Sequence, residues 1–247
     1  MNRRNFLAAT GASVIAANSV IAQLDGKEDP FKEVKNLLAG NKPLIWVFTG
    51  DSITHGALHT FGWRSYVEHF AERVRWELKR MNDVVINTGA SGDVLNNLSS
   101  KSDWRIFQFR PNVVSLMIGT NDCRNAEKGK DVFRRSFADL LEKTQKNNAV
   151  LLLNTPNLID FVKAPERSAL ADYAGLIREL AAKYKLPLVD HFAYWTEETR
   201  NSSKLQMWLN DGSIHPNNFG HLVLARKIFQ DLGIFDAKSP TCRLFVP

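Results

Sequence analysis

The sequence predicts an α/β domain built on a five-stranded parallel sheet with helices on both faces. Three observations predict it. Five short apolar runs, each bounded by turn residues, alternate with longer segments whose apolar residues return every three or four positions. Strand, helix, strand, helix in that order implies parallel pairing with crossover connections. Polar clusters directly follow the first three runs, at the sheet end where such folds bind ligands.

Taken in order, residues 23–43 read as a polar lead-in with a short helix near 31–39. "LIWVFT" (44–49) is the first strand, and "DVVIN" (83–87), "NVVSLMI" (112–118), "AVLLLN" (149–154) and "LPLVD" (186–190) are the other four. Continuous apolar runs of this length suit strands covered on both faces. In 61–81 the set Trp63, Tyr66, Val67, Phe70, Val74 and Met81 has helical spacing. So do Phe133, Phe137, Leu140 and Leu141 in 131–146, and Leu170, Tyr173, Ile177, Leu180 and Tyr184 in 166–185. A last helix is expected over 217–231, carrying Phe219, Leu222, Val223, Ala225 and Phe229. One domain spans 44–235, and 236–247 is set apart as a C-terminal tail.

The first 22 residues stand outside this pattern. "MNRRNFLAATGASVIAANSVIA" has a basic start, a weakly apolar run and small residues at its end, as a cleaved export leader would. Arg3-Arg4 before Asn5-Phe6-Leu7 resembles a twin-arginine signal, which predicts a periplasmic or secreted protein. The run is short and broken by Asn18 and Ser19, so no stable membrane insertion is expected. Loss of the leader removes two arginines and no acid, and the net charge falls from +6 to +4. That charge is mild and mixed along the chain, which excludes the concentrated basic face of a nucleic-acid binder. "RVRWELKR" (73–80) reads as a solvated helix face. Cys123 and Cys242 fit no metal-ligand spacing and read as free thiols, although an exported protein permits a bridge.

The polar clusters carry the chemistry. Ser52, in "VFTGDSITHG", follows the first strand; "NTGASGD" (87–93) follows the second and "GTND" (119–122) the third. A serine hydroxyl needs a base to become a nucleophile, and histidine suits that task near neutral pH. "NDGSIHPNNFGH" supplies Asp211 and His215 on one short loop ahead of the final helix. Charge developing on a substrate oxygen needs donors already aimed at it. The backbone N–H groups of Ser52 and Gly89 and the side-chain amide of Asn121 are candidates.

Gly50-Asp51-Ser52, Gly89, Gly119-Thr120-Asn121-Asp122 and His215-Pro216-Asn217 occur in an order that resembles the SGNH hydrolases, also called the GDSL esterase/lipase superfamily. The resemblance covers roughly 44–231 and implies a three-layer α/β/α sandwich of flavodoxin-like type. It implies Ser52 as nucleophile, His215 as base, Gly89 and Asn121 as oxyanion donors, and neither an organic cofactor nor a metal. The family places an aspartate three residues before the histidine. That position is Gly212 here, so Asp211, four before, is the expected third member; a dyad of Ser52 and His215 with a backbone carbonyl is the alternative. The sequence lacks a long apolar lid pattern, which points to short-chain, acetyl-type esters, and the export leader with the aromatics of 191–210 leans towards esters on carbohydrate. A lysophospholipase or thioesterase, or a silent carbohydrate-binding protein, would use the same scaffold.

Other residues compete for these roles. Asp51 is expected to hold the turn, and Asp122 to support the Asn121 loop. His191 follows Asp190 on a strand end, where adjacent side chains diverge. His55 and His59 line the pocket or the surface, His69 is expected to be solvated, and His221 to pack. Cys123 reads as a packing residue. The segments 155–165 and 191–210, the second with "FAYW" and Met207-Trp208, are candidate substrate walls.

Overall fold

A computed structural model describes residues 28–56, 59–210 and 212–247. The leader and Asp211 lie outside the described residues. Strands β1 (Ile45–Gly50), β2 (Val84–Asn87), β3 (Val113–Met117), β4 (Val150–Asn154) and β5 (Leu188–Val189) form one parallel sheet in the order β2-β1-β3-β4-β5. This is the flavodoxin-like order, whose switch point lies between β1 and β3. The five expected strands therefore form; Ser52 and Asn121 follow the two strands that flank the crevice, and Gly89 follows the edge strand β2.

Alternate strand residues feed two cores. Trp46, Phe48, Val113, Met117 and Leu152 pack on one face against α1 (Lys32–Ala39), α3 (Tyr66–Glu72) and α10 (Asn218–Asp231). Val47, Val114, Leu116, Leu151 and Leu153 pack on the other, against α4 (Leu95–Ser100), α6 (Ala126–Lys146) and α7 (Leu170–Tyr184). The β period of two makes one continuous apolar run serve both layers. β2 departs from the expectation of two covered faces: it is an edge strand, with Val84 and Asn87 exposed. α2 (Ser52–His55) and α5 (Ser102–Arg105) are single short turns.

The helix expected over 61–81 is shorter. Thr60–Trp63 form a turn in which Phe61 and Gly62 have positive φ. Ser65 then opens α3 through a capping box with Glu68. Trp63 and Met81 are consequently exposed rather than part of the apolar face. A π-helical stretch, Arg73–Glu77, prolongs α3. Its Arg73 is buried, not solvated: the guanidinium pairs with Glu77 at 2.9 Å and donates to the Ile234 carbonyl. Glu77 also accepts the Thr241 N–H at 2.7 Å. This tie, with buried Cys242, holds the C-terminal tail against the domain.

Segment 191–210 folds into α8 (His191–Glu198) and α9 (Lys204–Trp208). Trp195 and Trp208 are buried and meet edge to face, with centroids 5.0 Å apart. These two aromatics are core, not substrate wall. The thiols of Cys123 and Cys242 are both free and buried, and burial raises the Cys123 thiol to about 12. Among the described residues, no helix is long and apolar enough to cross a membrane and no cluster of three metal-ligating side chains occurs.

Candidate active site

The Gly-Asp-Ser turn is built by close packing at the end of β1. A Cβ on Gly50 would lie 1.9 Å from the Met117 carbonyl oxygen of the neighbouring strand, so only glycine fits. Asp51 caps α2 by accepting the Ile53 N–H at 3.0 Å. Ser52 is the first residue of α2, where a backbone N–H has no intrahelical acceptor. Its side chain is nearly buried at the crevice.

His215 reaches the same point from the far end of the sequence. Leu209 and Pro216 form an antiparallel bridge just ahead of α10. The Asn210 N–H donates to the His215 carbonyl at 2.7 Å. The Asn217 side chain accepts the N–H groups of Phe219 and Gly220 and caps α10, while its amide donates to Met207. Segment 155–165 braces the loop from outside: Asp160 N–H donates to Ser213, and the Asn157 amide to Ile214. The result is a distance of 2.9 Å between Ser52 Oγ and His215 Nε2, across 163 residues of sequence.

Gly89 lies against the end of α2. A Cβ there would lie 2.4 Å from the His55 nitrogen, so the glycine lets β2's loop press on α2. The Gly89 N–H is engaged by Asn87 Oδ1 at 2.9 Å, and Asn87 Nδ2 donates to the Thr54 carbonyl at 2.7 Å. Asn121 lies half-buried beyond β3. Its Nδ2 donates one hydrogen to the Asp93 carbonyl at 3.0 Å, and its Oδ1 accepts from Arg167 at 3.3 Å. A side-chain amide has two donor hydrogens, so a second remains to be aimed. Arg105 secures the same neighbourhood by pairing with Asp93 and donating to the Thr88 carbonyl.

Electrostatics under the site are unusual. Burial pushes the Asp51 carboxyl up to about 7, and the nearby Asp122 adds to the rise. Burial likewise raises Asp122 to about 6, against the N–H of Leu95 that it accepts at 2.9 Å. Both residues act as turn supports, as their positions in the sequence predict.

The other histidines divide cleanly. His59 stacks on His215, with centroids 3.8 Å apart and rings within 9° of parallel. Ser91 Oγ lies 2.9 Å from His55 Nδ1 and 3.3 Å from His59 Nε2. His69 is buried, contrary to its expected exposure, and desolvation lowers it to about 4. His221 packs as expected: it is buried, accepts the Tyr66 N–H at 3.2 Å and is lowered to about 3. His191 opens α8 rather than ending a strand, and meets Asn154, while Asp190 caps α8 and pairs with Arg178. Nothing in the sequence marks Arg105 or Arg167, and Asn210 is visible only as the first polar residue of "NDGSIHPNNFGH". Asn87 and Ser91 were visible only as polar members of the 87–93 cluster.

A cleft of about 720 Å³ lies elsewhere, between α1 and the end of the π-helical stretch. Asp83 and Pro43, which line it, precede β2 and β1, so it opens at the opposite end of the sheet and serves no part of this site.

The chain is 26% identical over 210 residues to an acetylxylan esterase of Geobacillus stearothermophilus, covering 76% of this chain and 93% of that one. Its fold matches a crystal structure of an acetylxylan esterase from the same organism with a TM-score of 0.63 at 24% identity, over 80% of this chain and 97% of the other. It also matches an α/β hydrolase from the metagenome of Lake Arreo, Spain, with a TM-score of 0.66 at 22% identity, over 79% and 99%. The fold and these likenesses define a carboxylic ester hydrolase on a three-layer α/β/α scaffold. The chain belongs to the GDSL-like lipase/acylhydrolase family, which residues 48–223 match.

Proposed function

We propose that this chain is an exported serine esterase that removes acetyl groups from carbohydrate. The 2.9 Å contact between Ser52 Oγ and His215 Nε2 carries the reading. In the tautomer with its proton on Nδ1, His215 accepts the Ser52 proton as Oγ attacks the ester carbonyl. The resulting imidazolium then protonates the leaving alcohol, and water, activated by the same ring, releases acetate from Ser52. Asp211 orients and supports that imidazolium. The Ser52 N–H and the second Asn121 hydrogen hold the oxyanion; the Gly89 N–H joins them by sharing or leaving Asn87 Oδ1.

Two observations support a carbohydrate substrate. The acetylxylan esterase relative is matched over 93% of its length. Phe61 and Trp63, two and four residues past the ring that covers His215, are 81% and 64% exposed. Exposed aromatic faces suit the apolar faces of pyranose rings. Export rests on the leader over 1–22, with cleavage after Ala22, and a mature chain beginning at Gln23 is the expected result of N-terminal sequencing.

The test is an ester panel of acetylated xylan, small acetyl esters, long acyl esters, lysophospholipids and acyl thioesters. Wild type should release acetate from xylan and be labelled by a fluorophosphonate, and Ser52→Ala should do neither. Preference for long acyl chains or thioesters would replace the substrate assignment. Sugar binding with no labelling of wild type would make the chain a binding protein.

A further inference from the structure

We propose that His59 is a positioning residue for His215, a stacked clamp that sets the plane of the base. The inference rests on the reading of His215 as that base. The bond that turns an imidazole ring is a broad, weakly restricted torsion, so His215's own backbone does not fix where Nε2 points. Asp211 supports the imidazolium in the proposed mechanism, and a second restraint on the ring plane is a ring 3.8 Å away within 9° of parallel, stacked face to face. Rotation of His215 away from Ser52 would drive its edge into His59.

The clamp is itself held at its ring and at its carbonyl. His59 Nε2 lies 3.3 Å from Ser91 Oγ, and the same hydroxyl lies 2.9 Å from His55 Nδ1. One hydroxyl can donate to one imidazole and accept from the N–H of the other, so it pins both rings while both are neutral. Asn210 spans the two partners: its side-chain amide donates to the His59 carbonyl, and its N–H donates to the His215 carbonyl at 2.7 Å. His55, His59, Ser91, Asn210 and His215 thus converge on one stack. When His215 takes the Ser52 proton, the stack holds the new imidazolium in the plane that the neutral ring occupied. Both effects act on the chemical step and leave ground-state binding of the ester unchanged.

The experiment compares His59→Leu, His59→Phe and Ser91→Ala with wild type on a small acetyl ester, with melting temperature read for each. His59→Leu should lower kcat roughly tenfold or more, with KM within about twofold, and should slow fluorophosphonate labelling in parallel. His59→Phe, which keeps a flat ring but not the Ser91 contact, should recover most of the loss. Ser91→Ala loosens the clamp without touching the stack and should lower kcat by a few-fold; it decides the matter if the His59 variants do not fold. Wild-type kcat in either His59→Leu or Ser91→Ala overturns the proposal, as does a rise in KM with kcat held, or equal kcat in the Leu and Phe variants. Turnover by Ser52→Ala would instead overturn the serine reading beneath it.

Discussion

Six histidines occur in the chain, and the structure sorts them into two sets of three. His55, His59 and His215 stand at the rim, in contact with one another or with the hydroxyls of Ser52 and Ser91. His69, His191 and His221 lie in the interior, and desolvation lowers them to about 4, 3 and 3. In the proposed mechanism an imidazole at the rim accepts a proton, whereas the same group in the interior is a neutral, fixed polar group. Water access decides which: a buried cation loses its hydration, so burial removes the proton affinity that catalysis needs. A base has to stay at the edge of the sheet, and its orientation must then come from neighbours rather than from burial.

The sharpest test of this division is at the rim. Ser52→Ala and His215→Ala should each cost about a thousandfold or more in kcat, with little change in melting temperature, and the double variant should cost no more than either alone. Additive losses would mean that the pair does not act as one unit. A smaller effect concerns the carboxylate beneath Ser52. Asp51 is raised to about 7, so the folded state binds its proton more tightly than the unfolded chain does. Stability from this group is therefore greatest below the ordinary carboxylate range and falls as pH rises towards 7. Asp51→Asn keeps the oxygen that caps α2, and its gain over wild type should be greater at pH 8 than at pH 4, by on the order of 2–4 kcal/mol in chemical denaturation.

The interior set should behave in the opposite manner to the rim. His221→Ala leaves the buried Tyr66 N–H without its acceptor and should cost about 1–3 kcal/mol of stability. Turnover per folded molecule should stay within a few-fold, and a collapse comparable to His215→Ala would break the division. The interior rings also set an acid limit: their pKa values are lowered, so the stability they allow is present above the ordinary histidine range and lost as pH falls towards 4 and 3. The smallest expected effect lies outside both sets. Phe61→Ala with Trp63→Ala should raise KM a few-fold on acetylated xylan, by loss of roughly a kcal/mol of ring contact, and leave kcat/KM on a small acetyl ester unchanged. Equal losses on both substrates would remove the sugar-platform reading.

Much of the scaffold was legible because it rests on short-range rules. Apolar runs such as Val113–Met117 and Val150–Asn154 are buried along their full length, and the order of the polar clusters is the order in which strands deliver them to one edge. The Gly-Asp-Ser turn was legible for the same reason: Asp51 caps its own neighbour. The misreadings share a cause. Trp63 and Met81 have the spacing of the α3 face, but a turn at Phe61-Gly62 and the end of the helix at Leu78 put them outside it. His69 and Arg73 look solvated by composition, yet α3 is covered by α10 and by Ile234. The aromatics of 191–208 were read by nearness to His215 along the chain, whereas Trp195 and Trp208 turn towards the core.

By itself the sequence determined the element order, the parallel sheet and the identities of Ser52, Gly89, Asn121 and His215 as groups worth bringing together, since periodicity and turn chemistry act over a few residues. Only the tertiary structure decided that Ser52 and His215 meet, that Gly89's N–H is held by Asn87, that Arg105 and Arg167 steady the amide loop, and which histidines keep contact with water. Those outcomes depend on packing between segments far apart in the chain, where burial and a few ångströms set whether a polar group can react.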